Sequence, residues 1–138
     1  HLKSILTMKF SDVFVVDDDK IFHFIIKKLL LSNNINVEPS FFENGLLALE
    51  GIQNKMNKGE NPPDLILLDI NMPILDGWQF LEEFKRIKSK IAKEITIYIV
   101  SSSDNKADLN KAKEYQEEVS DYYLKPMTVD DLHEIFYK

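Results

Sequence analysis

The residues best able to do chemistry stand at the ends of short apolar runs. Val13-Phe14-Val15-Val16 stops at Asp17-Asp18-Asp19, and Asp64-Leu65-Ile66-Leu67-Leu68 stops at Asp69. Ile95 to Val100 stops at Ser101, and Tyr122-Tyr123-Leu124 stops at Lys125. Carboxylates gathered at one spot repel. Two unit charges about 4 Å apart interact by roughly 4 kcal/mol at an effective dielectric near 20, so one of them would tend to keep its proton. A divalent cation removes the conflict, and hard oxygen donors without His or Cys select Mg²⁺, which shares its shell readily with phosphoryl groups. One carboxylate can then attack phosphorus and form an acyl phosphate. Lys125 supplies a fixed positive charge for a phosphoryl oxygen, and the Ser101 hydroxyl a hydrogen bond to another. Phosphoryl transfer asks for little beyond such positioning and charge stabilisation.

For these residues to meet, the apolar runs must be neighbouring parallel strands. Short β-prone runs alternate with stretches of helical period, the pattern of an α/β fold. The first strand leads into a helix over Lys20 to Leu31, with Ile21, Ile25 and Leu29 on one face and Phe22, Ile26 and Leu30 widening it. A weaker strand near Asn36 to Phe42 contains Pro39 and belongs at an edge or carries a kink. A helix from Gly45 to Lys58 buries Leu49, Ile52 and Met56, and Pro62-Pro63 close the segment after it. The strand ending at Asp69 is apolar enough for burial on both faces. It is followed by a loop with Pro73 and Asp76-Gly77, then a helix turning Trp78, Leu81, Phe84 and Ile87 inward. A fourth helix is expected from Lys106 to Val119, with Leu109, Ala112 and Val119 as its stripe, and Thr128 caps a last helix with Val129, Leu132, Ile135 and Phe136 inside. The expected architecture is (βα)5: an α/β doubly wound, flavodoxin-like fold with a five-stranded parallel sheet and helices on both faces. In such sheets ligands bind beyond the carboxyl ends of the strands, where Asp17, Asp18, Asp69, Ser101 and Lys125 all fall.

The 138 residues suit one domain, and 44% hydrophobic residues supply a core. Residues 1–8 are expected to be a lead, with Met8 a candidate natural start and the domain spanning residues 9–138. There is no Cys, which excludes disulfides, Cys-based metal sites and thiol nucleophiles and suits a cytoplasmic location. No apolar run approaches the roughly 18 residues of a membrane span, and no signal-peptide pattern opens the chain. A net charge of −6 disfavours binding to nucleic-acid phosphates, and the grouped lysines read as solvated helix faces. His1, His23 and His133 are scattered without metal spacing.

Taken together, Val15-Val16-Asp17-Asp18-Asp19, Leu67-Leu68-Asp69-Ile70-Asn71-Met72-Pro73-Ile74-Leu75-Asp76-Gly77, Val100-Ser101-Ser102 and Tyr122-Tyr123-Leu124-Lys125-Pro126 resemble the four signatures of response-regulator receiver domains of two-component signalling, in order and over about Asp12 to Tyr137. The resemblance implies Asp69 as phosphoacceptor. It implies Asp18 as the more direct Mg²⁺ ligand, Asp17 as one acting partly through water, and the Asn71 backbone carbonyl as a further ligand. Ser101 would move toward the phosphoryl group after transfer and Tyr122 would rotate with it as the switch aromatic. Lys125 would hold the phosphoryl group, with its bond to Pro126 commonly cis. Ser102 stands where Ala is usual, and the segment Asn54 to Pro63 is longer than in minimal chemotaxis regulators, a length that occurs in receivers of hybrid kinases and of phytochrome partners.

The function so implied is a signalling switch rather than a turnover enzyme. A histidine kinase or histidine-phosphotransfer protein would phosphorylate Asp69, docking on the first helix. The fourth helix, fifth strand and fifth helix would present the changed face to an unknown protein target, as a monomer or a phosphorylation-dependent dimer. With no output domain after the last helix, the chain would act through protein contact or be part of a longer protein. Structural readings compete: Asp17 to Asp19 as helix caps, Ser101 as a cap, Lys125 as a surface charge, Tyr122 as packing. A haloacid-dehalogenase-type phosphatase would use the Asp-x-Asp within Asp17 to Asp19, but its motif does not continue into Lys20-Ile21. A flavodoxin-like cofactor binder would need a phosphate loop where this chain has aspartates, since fold alone does not give function. A passive scaffold would have lost an acidic residue or the lysine, and none is lost.

Overall fold

The computed structural model describes residues 7–138. The expected lead over residues 1–8 falls largely on the first six, outside the described residues. Met8 packs against the core, and the Lys9 amide donates to the Phe136 carbonyl at 2.9 Å.

Among the described residues five strands and five helices alternate: β1 Val13–Val16, α1 Lys20–Ser32, β2 Ser40–Phe42, α2 Gly45–Asn57, β3 Leu65–Leu68, α3 Gly77–Ile87, β4 Thr96–Ser101, α4 Lys106–Lys113, β5 Val119–Leu124 and α5 Val129–Tyr137. A 3₁₀ turn, Lys88–Lys90, follows α3. The sheet is wholly parallel in the order β2-β1-β3-β4-β5. β1 and β3 are buried along their whole length, and successive residues serve opposite faces because strand side chains alternate. Phe14, Val16, Ile66, Leu68, Ile97 and Ile99 meet α2 and α3, whereas Val13, Val15, Leu65, Leu67 and Val100 meet α1 and α5.

Four details depart from the sequence expectation. The buried face of α1 is Phe22, Ile26 and Leu30, while Ile21 and Ile25 are exposed. A helix apolar nearly all round has no unique inner face, so its fit against the sheet chooses one. The second strand begins only after Pro39, which lacks the amide a longer ladder would need. Inward residues also differ: α2 buries Ala48 and Ile52 with Leu49 and Met56 only partly covered, and α3 buries Phe80 where Trp78 and Ile87 are half-buried. Finally, α4 stops at Lys113, and Val119 opens β5 instead. No residue of α4 is buried, so little packing energy opposes its early end.

Candidate functional site

Each polar candidate is delivered by the end of a strand. The Asp69 amide donates to the Val16 carbonyl at 2.9 Å, the Asp17 amide to Phe42 at 2.9 Å, and the Lys125 amide to Ser101 at 2.9 Å. These bonds extend the ladder one step past the strands and hold the ends level. Below Asp69, Gly77 allows α3 to start close beneath the loop. A Cβ there would lie 2.5 Å from the Asp69 carbonyl oxygen and 2.7 Å from Ile70 Cα. Asp76 caps α3 by accepting from the Gln79 amide, and the Gln79 side-chain oxygen accepts in turn from the Asp76 amide, a capping box.

Carboxylate oxygens of Asp17, Asp18 and Asp69 all lie within 4.8 Å of one another. Asp17 is 1% exposed and Asp69 7%, whereas Asp18 is exposed. Lys125 Nζ stands 2.7 Å from Asp17 Oδ2 and 4.0 Å from Asp69 Oδ2. The ammonium approaches Asp17 Oδ2 out of hydrogen-bonding direction, so that buried oxygen has a charge beside it but no directed donor. Asp17 Oδ1 accepts from the Asp19 amide at 2.9 Å, and Asp19 itself caps α1 through Ile21. Capping thus accounts for Asp19 and leaves Asp17 and Asp18 unexplained by it.

Burial, then the charge of Asp17, pushes the Asp69 carboxyl up to about 6, against the opposing pull of Lys125. The Asn71 amide adds one long hydrogen bond to Asp69 Oδ1, at 3.4 Å. At the end of β4, Ser101 is fully buried, and its Oγ accepts from the Ser103 amide at 3.1 Å. The Tyr122 hydroxyl donates to the Ser103 carbonyl at 2.7 Å, and burial raises its phenol above the usual range. Ser101 caps no helix; Asn105 caps α4. The Lys125–Pro126 bond is cis.

Three neighbours escaped the sequence reading. Phe22 underlies Lys125, its ring centre 4.5 Å from Nζ, a cation–π contact that holds the ammonium over the cluster. His23 Nε2 lies 2.6 Å from the Asp17 carbonyl. Ile74 takes a left-handed φ of 70° in the loop after Asp69. Apolar periodicity marks Phe22 only as core, and no local signal marks His23 or Ile74.

An acidic, all-oxygen cluster with one buried oxygen lacking a directed donor fits a small hard divalent cation. The lysine beside it suits a phosphoryl oxygen. Residues 13–137 match the family model for the response regulator receiver domain. The chain is 29% identical over 126 residues to the chemotaxis protein CheY of Bacillus subtilis, covering 91% of this chain and 94% of that one. Its structure resembles a two-component response regulator from Cytophaga hutchinsonii at 27% identity and a TM-score of 0.77, over 92% and 94% of the two chains. It also resembles the Mn²⁺-bound form of response regulator Rcp1 at 25% identity and a TM-score of 0.68, over 91% and 88%.

Proposed function

The chain belongs to the response regulator receiver domain family, a signalling module phosphorylated on aspartate, and on that premise we propose that Asp69 is its phosphoacceptor. The observation that carries this is the convergence of Asp17, Asp18, Asp69 and Lys125 from three strand ends beside Ser101. Asp69 is the member that Lys125 touches only at long range, which leaves its oxygen free to form a bond.

In the reaction an Asp69 oxygen attacks phosphorus in line with the bond to the donor's histidine nitrogen. The P–N bond breaks as the P–O bond forms, and the imidazole leaves with the electron pair and takes up a proton. Asp17 and Asp18, with Asp69 and the Asn71 carbonyl, are the residues that would hold Mg²⁺, and the manganese-bound relative supports a divalent ion there. Bound there, the ion would neutralise the charge that gathers on the phosphoryl oxygens. Lys125, released from Asp17 as negative charge arrives nearer Asp69, pairs with one phosphoryl oxygen. Ser101 gives up its bond from the Ser103 amide and donates to another, and Tyr122, tied to the same loop, follows.

The donor is a histidine kinase or histidine-phosphotransfer protein contacting α1, and the output face is α4, β5 and α5, carried by a receiver domain over residues 9–138. Helix α4 suits that output role because nothing in it is buried and its loop is joined to Ser101 through Ser103. The oligomeric alternatives are a monomer throughout or dimerisation on phosphorylation. Intact-mass spectrometry after incubation with acetyl phosphate and Mg²⁺ tests the reading. One phosphoryl adduct is expected, absent in Asp69→Asn and in chelator. An adduct that persists in Asp69→Asn, or none in the folded wild type, refutes it.

A further inference from the structure

With no buried residue of its own, α4 is carried by its two ends. Its eight residues make a rod about 12 Å long, so a shift at one end reaches the other. The leading end is tied to the site. The Ser103 amide donates to Ser101 Oγ, the Ser103 carbonyl accepts from Tyr122, and the Ser103 hydroxyl donates to Asp108 of α4 at 2.5 Å.

The trailing end is tied to α3 by other means. Tyr115, just past the end of α4, is 7% exposed, and its hydroxyl donates to Glu82 Oε2 at 2.6 Å. Its ring stacks on Trp78, with centres 5.8 Å apart and planes 23° from parallel. Lys111 of α4 stands 5.3 Å from the centre of the Trp78 ring, and Lys85 of α3 stands 5.4 Å from that of Tyr115. Trp78, Glu82 and Lys85 fall on one stripe of α3 by their helical spacing. Burial, then the bond to Glu82, pushes the Tyr115 phenol up to about 12, so the proton in that bond stays in place at neutral pH. Helix α3 is a fixed post: Gly77 lies against the Asp69 backbone, and Phe80, Leu81 and Phe84 are buried. Any movement of α4 therefore strains its attachment at Tyr115. The ring accounts for the packing there, whereas the hydroxyl reaches out to an exposed carboxylate and adds a directed tether.

We propose that the Tyr115–Glu82 bond is a clasp that holds α4 in its resting place, which makes Tyr115 a positioning residue for the phosphorylation switch. The clasp keeps Ser103 against Ser101 until Asp69 is phosphorylated, and it opens when Ser101 turns to the phosphoryl group. The proposal rests on Asp69 as phosphoacceptor and on the Ser101 movement given above. A bond made only in the resting arrangement favours that arrangement, so its loss enlarges the fraction of chains already arranged to receive the phosphoryl group.

The test is the initial rate of Asp69 labelling by acetyl phosphate and Mg²⁺, followed by intact mass. Tyr115→Phe keeps the ring and loses the bond; it should label about fivefold faster, the factor that one net hydrogen bond sets. Glu82→Ala should do the same, whereas Glu82→Gln keeps an acceptor and should stay within about twofold of the wild type. Glu83→Ala, which removes the neighbouring carboxylate and its ion pair with Arg86, should leave the rate unchanged. Trp78, the one tryptophan of the chain, adds a signature that general loosening would not give. Its emission should change when the wild type is phosphorylated and change less in Tyr115→Phe, where the clasp is already open. Labelling of Tyr115→Phe and Glu82→Ala at or below the wild-type rate overturns the proposal. So does equal acceleration in Glu83→Ala, or Trp78 emission that phosphorylation of the wild type leaves unchanged. Where the wild type labels on Asp69 and these signs are missing, the clasp alone falls; if nothing labels Asp69, the phosphoacceptor reading falls and the clasp with it.

Discussion

Asp69→Asn replaces a carboxylate that folding places in a poorly solvated cluster beside Asp17. The amide keeps the shape and keeps an oxygen for the Asn71 amide, so charge is the main thing removed. Moving the carboxyl from its ordinary 3.8 to about 6 corresponds to roughly 3 kcal/mol, and solvent reaching the open rim lowers the realisable part to about 1–2 kcal/mol. The sign follows from linkage. Because the folded value lies above the unfolded one, the wild type is relatively favoured below pH 3.8 and loses that stability as pH rises toward 6. Urea unfolding in chelator should therefore show Asp69→Asn gaining on the wild type between pH 4 and pH 7.5, by about 1–2 kcal/mol in all. Added Mg²⁺ should narrow the gap by stabilising the wild type more. A gap that is flat with pH, or a variant less stable than the wild type at pH 7.5, would refute the claim that burial and Asp17 strain the ionised Asp69.

Two further perturbations probe the frame that holds the site. Gly77→Ala drives a methyl group into the Asp69 carbonyl and the Ile70 backbone, neither of which can swing aside, and should cost about 3 kcal/mol by urea unfolding; a loss below about 0.5 kcal/mol means the approach is not that close. Asn105→Ala removes the α4 cap, whose side chain accepts from the Asp108 amide at 2.8 Å. With no buried residue to compensate, about 1 kcal/mol should be lost from α4 locally, read as faster amide exchange there with β1 and β3 unchanged; uniform acceleration across the sheet would contradict a loosely held α4.

The alternation of strands and helices was legible because each buried parallel strand is a short, continuous apolar run, and because Thr128 is a side chain suited to cap the last helix, as it does; that Asp19 and Asp76 also cap helices emerged only in the structure. The polar residues at the strand ends were legible for the same reason: a parallel sheet brings all its carboxyl ends to one edge, so Asp17, Asp69, Ser101 and Lys125 had to become neighbours. What local pattern could not decide was everything that depends on fit between elements. Rotation of α1 put Phe22 under Lys125 and left Phe24 in the open, though both are phenylalanine on one helix. Val119 suits either a helix stripe or a strand, and only its pairing with Ile97 across the sheet made it the start of β5. The distances that set Lys125 against Asp17 rather than Asp69, and the left-handed turn at Ile74, arise from segments far apart in the chain that close on one another. The sequence by itself determined which groups meet; tertiary packing decided how far apart they stand and which of them face a partner, because those quantities are settled by the volume and rotation of neighbouring elements.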